Sequence, residues 1–239
     1  YFALATVIPV ASLVLASVMK IPGVFDIPGP FTLAHYRQGM ANPVLWNAMK
    51  NTLMVAGAVA LLGTLLYTVV SYVIVRTRFR GRVGLEVATW LPWTVPSLVL
   101  GVAFLWTFMG GITLPFVEYG SLQLLVLVFL VRGLPLGVRV MNGAMIQLGK
   151  ELEESARVSG ASWFSTFRRI IIPLVRPSLL STGIILVVIV LRDLATIILL
   201  YRAKSRLLSV LLLEYWEGGQ PVGALVVGVA TAAAGIFLL

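Results

Sequence analysis

The sequence contains no cysteine and only one histidine, His35, among its 239 residues. The lack of cysteine excludes disulfides, a thiol nucleophile and cysteine-ligated metal sites. A single histidine excludes a metal site built from several histidines, and we interpret His35 as an ordinary loop residue. A P-loop of the form G-x-x-x-x-G-K-[ST] is also missing, because Gly149-Lys150 is followed by Glu151. We therefore expect no cofactor in this chain.

Charged residues are scarce as well, at 11% of the chain, whereas 59% of the residues are hydrophobic. Soluble domains carry about 25% charged residues, so an ordinary soluble domain, a disordered segment and a coiled coil are all excluded. The composition is typical of a polytopic helical membrane protein. The charge is also unbalanced, with 18 Lys and Arg against 9 Asp and Glu. We attribute this excess to loops at an anionic membrane surface and not to a nucleic-acid partner.

Long uncharged runs locate most of the membrane spans, and two further apolar stretches contain charges. We predict an all-α membrane bundle of about six transmembrane helices, at about 2–20, 50–75, 86–109, 121–141, 177–200 and 219–239. Residues 1–239 are expected to form a single membrane domain. Because the chain begins at Tyr1 and stops within an apolar run, we also expect it to be a segment of a longer chain.

Basic residues in the short connections predict the orientation, because cytoplasmic loops are enriched in Lys and Arg. With the amino terminus inside, ten Lys and Arg fall in the cytoplasmic connections and six fall outside. The densest cluster lies between the second and third predicted spans and consists of Arg76, Arg78, Arg80 and Arg82. We predict a cytoplasmic amino terminus and outer loops at about 20–49, 110–120 and 201–218.

The connection at about 148–176 carries the most distinctive pattern in the chain. A short acidic helix is predicted to end at Gly160, because glycine adopts a positive φ without strain. Ser162 is a good N-cap for a second helix. That helix is predicted to carry large side chains on one face, at Trp163, Phe164, Phe167, Ile170 and Ile171. Two interpretations stay open: this face lies on lipid, or it docks into a groove of a soluble partner.

Five residues of this loop follow the order Glu-x-Ala, three residues, Gly, nine residues, Ile-x-x-Pro. They are Glu154, Ala156, Gly160, Ile170 and Pro173. This spacing resembles the signature loop of the membrane subunits of bacterial ABC importers that depend on a binding protein. The resemblance implies that the loop is a coupling helix that inserts into a cleft of an ATPase subunit. Glu154 and its neighbours would face that ATPase, and we assign Trp163, Phe164 and Phe167 to the same coupling loop.

Other short motifs extend the resemblance over nearly the whole chain. They include Asn51-Thr-Leu53, Leu100-Gly101, Gly133-Leu-Pro135 and Arg192-Asp-Leu-x-Thr196. Together they resemble the carboxy-terminal half of the fused permeases of ferric-iron importers, with Asp193 in place of the glutamate of that subgroup. The subgroups for phosphonates, thiamine, polyamines and sulfate share much of this pattern, so they remain alternative substrates.

The resemblance implies the fold of type I ABC importer permeases and a location in the bacterial inner membrane. It also implies several partners: a second permease half, two copies of an ATPase that binds ATP and magnesium, and a periplasmic or lipid-anchored binding protein. Such a permease moves its solute without covalent chemistry, so we do not expect an enzyme. An ATP-independent channel or secondary transporter is the alternative from a different class.

Three charged residues, Arg132, Arg192 and Asp193, are predicted to lie inside the apolar stretches. A charge in hydrocarbon costs about 2.5–3.5 kcal/mol on insertion scales, so each needs a partner or water. Three interpretations are open for them. They form a structural ion pair, for example Arg132 with Asp193, or they line the translocation pathway, or they snorkel to the interface.

Overall fold

The structure is a computed structural model that describes residues 4, 7–111 and 114–237 of the chain. Its regular structure is helical, which confirms the predicted all-α class. In chain order the helices are α1 (Ile8–Ser17), α2 (Ala34–Ala41), α3 (Pro43–Arg76), α4 (Arg82–Thr94), α5 (Ser97–Met109), α6 (Leu122–Gln147), α7 (Glu151–Val158), α8 (Trp163–Thr166), α9 (Ile172–Leu174), α10 (Arg176–Arg192), α11 (Leu208–Glu217) and α12 (Pro221–Phe237). A π-helical turn, Phe167–Ile171, joins α8 to α9.

The centre of the bundle is formed by α3, α6 and α10. Helix α3 has 34 residues and α6 has 26, so at 1.5 Å per residue they are about 51 and 39 Å long and exceed a hydrocarbon core of about 30 Å. Tyr67 of α3 is fully buried between them and donates a hydrogen bond to the carbonyl of Leu130 at 2.5 Å. A Cβ at Gly137 would overlap the Tyr67 ring, so glycine allows this close approach.

The span predicted at 86–109 is wrong as a single helix. The chain forms α4 and α5 instead, and the two are bent by 106° at the break between them. Pro96 explains the break, because proline has no N–H and disfavours the helical conformation of the residue before it. Val95 is accordingly extended, with φ −94° and ψ 126°.

The span predicted at 177–200 also ends early, because α10 stops at Arg192. Asp193 leaves the helical conformation, with φ −84° and ψ 94°. Its carboxylate accepts hydrogen bonds from the N–H of Thr196 at 3.1 Å and from the Thr196 hydroxyl at 2.6 Å. Such side-chain bonds compete with the helix for backbone groups, which accounts for the turn.

The segment 193–207 contains no α-helix and only one short 3₁₀ turn, Ala203–Ser205, and it is held in place by side chains of neighbouring helices. Asn51 of α3 donates to the carbonyls of Lys204 and Arg206 at 2.9 and 3.0 Å. Gly101 of α5 lies against the turn at Thr196, where a Cβ would come within 2.5 Å of the carbonyl oxygen. These contacts supply the backbone hydrogen bonding and close packing that irregular structure requires inside a bundle.

Within the described ranges, two helices are long and apolar enough to cross a membrane by themselves, α3 and α6. Two bent pairs raise this number to four: α4 with α5, and the stretch Trp163–Leu174 with α10, which are bent by 72°. Helices α1 and α12 are shorter apolar helices of 10 and 17 residues. Each of the six predicted spans therefore overlaps one of these elements. Helix α11 lies in the stretch 201–218, which is predicted from the sequence to be an outer loop.

Candidate functional site

The loop at 148–176 forms the helix–turn–helix that its sequence predicts. Gly160 follows α7 with φ 79°. Its N–H donates to the carbonyl of Arg157 at 2.9 Å, and the next N–H, of Ala161, donates to the carbonyl of Ala156 at 3.0 Å. These two bonds form a Schellman motif, which terminates a helix and requires a left-handed residue at the position of Gly160. The signature alanine and glycine thus define the end of α7 together.

Ser162 begins the second helix as predicted, since its hydroxyl accepts a hydrogen bond from the N–H of Ser165 at 3.3 Å. The prediction of one face for all the large side chains is wrong. Trp163 and Phe167 stack with ring centres 5.3 Å apart, and both meet the ring of Tyr72 edge-on at 5.7 and 5.5 Å. They attach α8 to α3. Phe164 lies outside this cluster and is 64% exposed.

The surface that this loop presents is formed by Glu154, Phe164 and a shallow groove between α7 and α8. Glu154 is exposed. The groove has a volume of about 450 Å³ and is lined by Ser155, Ala156, Ser159, Ala161, Ser165, Thr166, Arg169 and Ile170. Two of the signature residues, Ala156 and Ile170, therefore face it. Pro173 is half-buried in α9, directly after the π-helical turn.

Sequence reasoning missed the buried charge of this loop, Glu153. Its Oε1 lies 3.5 Å from Nε of Arg76, and its Oε2 accepts a hydrogen bond from the Tyr72 hydroxyl at 3.1 Å. From the sequence alone, Arg76 is only a member of the basic cluster of the adjacent loop. A signal was present, because Glu153 stands three residues before Ala156 and hence on the same side of α7.

The intramembrane charges Arg132 and Asp193 lie in contact, with 3.1 Å between Nε and Oδ2. The pairing that the sequence offered as one alternative is therefore present. Arg192, the last residue of α10, is exposed and lines the same cavity as this pair. The three residues thus form one ion pair and one additional cation.

A cavity of about 370 Å³ opens beside this pair. It is lined by Trp93, Arg132, Leu136, Val188, Ile189, Arg192 and Asp193. The guanidinium of Arg132 lies 6.0 Å from the ring centre of Trp93, and that of Arg139 lies 5.7 Å from the ring centre of Trp90. Cation–π contacts of this kind stabilise an arginine in surroundings of low polarity. The bend between α4 and α5 thus places α4 across the charged face of α6.

Comparison with known proteins decides the family. The family described as "Binding-protein-dependent transport system inner membrane component" matches residues 68–239. The chain belongs to this family. The matched stretch contains the signature loop and all three intramembrane charges, and the resemblance predicted from their spacing is confirmed. Together with its apolar helices, this makes the chain part of an integral inner-membrane protein.

Two of the relatives are ferric transport permeases. The ferric transport system permease protein FbpB of Actinobacillus pleuropneumoniae is 29% identical over 185 residues, which is 77% of this chain. A putative ferric transport system permease protein of Haemophilus influenzae, FbpB 1, is 32% identical over 172 residues, which is 72% of this chain. The matched residues cover 26% of each relative, so the chain spans about a quarter of their length. The molybdate/tungstate permease WtpB of Pyrococcus abyssi is 26% identical over 204 residues.

The fold is also found among solved structures. A chain in the crystal structure of a bacterial ABC transporter involved in the import of the acidic polysaccharide alginate superposes with a TM-score of 0.77. The match covers 99% of this chain and 87% of that chain, at 18% sequence identity. The predicted fold of ABC importer permeases is thereby confirmed.

Proposed function

We propose that the chain is one permease half of an ATP-driven importer and that its solute is ferric iron, delivered by a periplasmic or lipid-anchored binding protein. The observation that carries the proposal is the signature loop, which exposes Glu154 and Phe164 and places Glu154 beside the basic cluster. Family membership supports the transport role, and the ferric transport relatives support the solute. The remaining partners are a second permease half and two ATPase subunits that bind ATP and magnesium.

The coupling step follows from how the loop is attached. An ATPase subunit binds the surface of Glu154, Phe164 and the groove between α7 and α8, whereas Trp163 and Phe167 fix the loop to Tyr72. Closure of the ATPase pair on ATP then displaces the loop and, with it, the ends of the helices on which it rests. The two permease halves switch between inward-open and outward-open states because ATP binding favours one of them.

The cavity beside Arg132 and Asp193 is the candidate solute pathway in this half. One observation favours a second solute class, an oxyanion such as molybdate or sulfate. The cavity contains two arginines and one carboxylate, and Asp193 is already engaged by Arg132 and Thr196. Arginine is well suited to bind oxyanions, whereas a free carboxylate would favour a hard cation. Molybdate/tungstate and sulfate permeases also occur among the relatives.

A reconstituted transporter tests the solute. The complete permease is placed in proteoliposomes with its ATPase subunits and its binding protein, and uptake of radioactive ferric iron, molybdate and sulfate is measured. We expect ATP-dependent uptake of iron and none with a non-hydrolysable ATP analogue. Uptake of molybdate or sulfate in place of iron would reassign the solute. Uptake that is independent of ATP would contradict the importer and favour a channel.

The orientation is tested by cysteine labelling, for which the cysteine-free chain is a ready background. Phe79→Cys lies in the turn with the basic cluster, and Pro115→Cys lies in the predicted outer loop; both positions are exposed. We expect a membrane-impermeant maleimide to label position 79 only from the cytoplasm and position 115 only from outside. The reverse pattern would overturn the orientation, and the unmodified chain measures background labelling.

A further inference from the structure

The guanidinium of Arg76 connects the ends of two central helices. Arg76 is the last residue of α3, and its side chain is only 4% exposed. It donates hydrogen bonds to the carbonyls of Met145 and Leu148 at 2.7 and 2.5 Å. Both carbonyls belong to the end of α6, where helix carbonyls lack partners within the helix. A positive charge is also favourable at this negative end of the helix dipole.

Glu153 brings α7 to the same point. Its side chain is 11% exposed and lies against Arg76, and Tyr72 of α3 donates its hydroxyl to the carboxylate. Within the described residues, the polar side-chain contacts of α7 with α3 all run through Glu153. The signature loop, α3 and α6 thus meet at one buried carboxylate and one buried guanidinium.

The geometry of the Arg76–Glu153 pair is not that of an ion pair that stabilises the folded state. The 3.5 Å between Arg76 Nε and Glu153 Oε1 is too long for a good hydrogen bond, and neither atom has a hydrogen-bond partner among the described residues. A buried ion pair has to overcome the desolvation of both charges, which it does only when its geometry is excellent. The pair therefore contributes little to folding in this state, and a small displacement of α7 would close the gap.

We infer that Arg76 and Glu153 form the link through which movement of the signature loop is passed to α3 and α6. This inference rests on the proposed ATP-driven import. Both are positioning residues, since neither reaches the surface that an ATPase would contact. The pair tightens when the loop is pushed towards the bundle, and because one guanidinium bonds α6 as well, the two helix ends then move together.

The complete transporter with its ATPase subunits tests this link. Glu153→Gln keeps the shape and one acceptor for Tyr72 but removes the charge. We expect it to fold, because Arg76 keeps its hydrogen bonds to the carbonyls of Met145 and Leu148, and to hydrolyse ATP. The amount of solute transported per ATP should fall by about fivefold or more, the lower end of allosteric couplings. Glu151→Gln is the matched control, since Glu151 is exposed on the same helix, and it should leave this ratio unchanged.

The double variant Arg76→Leu/Glu153→Leu separates a link from a structural pair. Removing both charges leaves none unpaired, so the folded yield should exceed that of Arg76→Leu alone. If the pair is a link, the solute-to-ATP ratio stays low in the double variant although the protein folds. If the double variant regains the wild-type ratio, the pair is only structural and the inference is overturned.

Spin labels give a readout that does not depend on transport. Ile146→Cys at the end of α6 and Val158→Cys at the end of α7 occupy sites that are 70% and 89% exposed. In the nucleotide-free complex and with ATP, we expect Glu153→Gln to broaden the distance distribution between the two labels. An unchanged distribution overturns the link. Failure of the wild-type complex to transport would instead count against the proposed function, and the label distances would still test the link.

Discussion

Gly160→Val should reach the membrane in normal amounts and lose most of its ATP-coupled transport. Gly160 has φ 79°, a conformation that costs an L-residue about 1–2 kcal/mol, and valine is worse than most because it is branched at Cβ. Among the described residues, and apart from the two chain neighbours, no heavy atom lies within 4 Å of a Cβ built at this position, so the penalty is conformational and not steric. A domain whose free energy of unfolding is about 5–15 kcal/mol remains folded in spite of this penalty. The turn at residue 160, however, should change its conformation.

The loss of function follows from the direction of α8. When residue 160 leaves the left-handed region, the Schellman bonds from 160 to Arg157 and from Ala161 to Ala156 cannot both form. Helix α8 then leaves α7 at a different angle and carries Phe164 away from Glu154. Since both side chains belong to the proposed ATPase-binding surface, the coupling contact is disrupted although the transmembrane helices are intact.

Two variants make this measurement specific. Gly160→Asn should retain a substantial part of transport, because asparagine adopts the left-handed conformation more readily than other non-glycine residues. Gly143→Val is the matched control, since Gly143 also has open space around its Cβ position but lies within α6 at a helical φ. Uptake and ATP hydrolysis are measured at equal membrane levels. Normal uptake by Gly160→Val would contradict the role of the turn.

The parts of the loop that could be predicted from sequence depend on a few neighbouring residues. Gly160 ends a helix and Ser162 begins one because each makes a hydrogen bond to a residue three positions away, and Ala161 adds a bond over five positions. The division of the aromatic face could not be predicted in this way, because it depends on Tyr72 of another helix. The same holds for Glu153, whose burial is explained by Arg76, far away in the chain.

The membrane spans show the same limit. Hydrophobic length located them, but it says nothing of where a helix stops inside a bundle. Proline is itself a local signal for the break at Pro96. The end of α10 at Arg192 also has a local signal, because Asp193 can accept hydrogen bonds from the backbone near Thr196. From sequence alone, an apolar run of sufficient length still predicts an unbroken helix in spite of either residue. Only the packing of α5 against the turn at Thr196 shows that both helices end there.

The second large effect is expected at the pair of Arg132 and Asp193. Removing one partner of a buried pair costs about 3–5 kcal/mol, because the other charge is left unpaired in low dielectric. The adjoining cavity admits some solvation, so we expect the lower end, about 3 kcal/mol. Asp193→Asn is the sharper variant, since asparagine retains an acceptor for the N–H of Thr196 and replaces the oxygen that faces Arg132 with an uncharged NH2 group. Arg132→Leu and Asp193→Asn should each lower the thermal midpoint of unfolding in detergent.

The double variant and a neighbouring arginine distinguish a structural pair from a pathway site. For a structural pair, Arg132→Leu/Asp193→Asn should recover much of the stability and a substantial part of transport, since no charge remains unpaired. Arg192→Leu should leave stability unchanged, because Arg192 is exposed at the end of α10. If these residues line the pathway, we expect the opposite result. Arg132→Leu, Asp193→Asn and Arg192→Leu should then each fold normally and lose transport or selectivity. The 3.1 Å contact favours the structural pair, and wild-type thermal midpoints for both Arg132→Leu and Asp193→Asn would refute it.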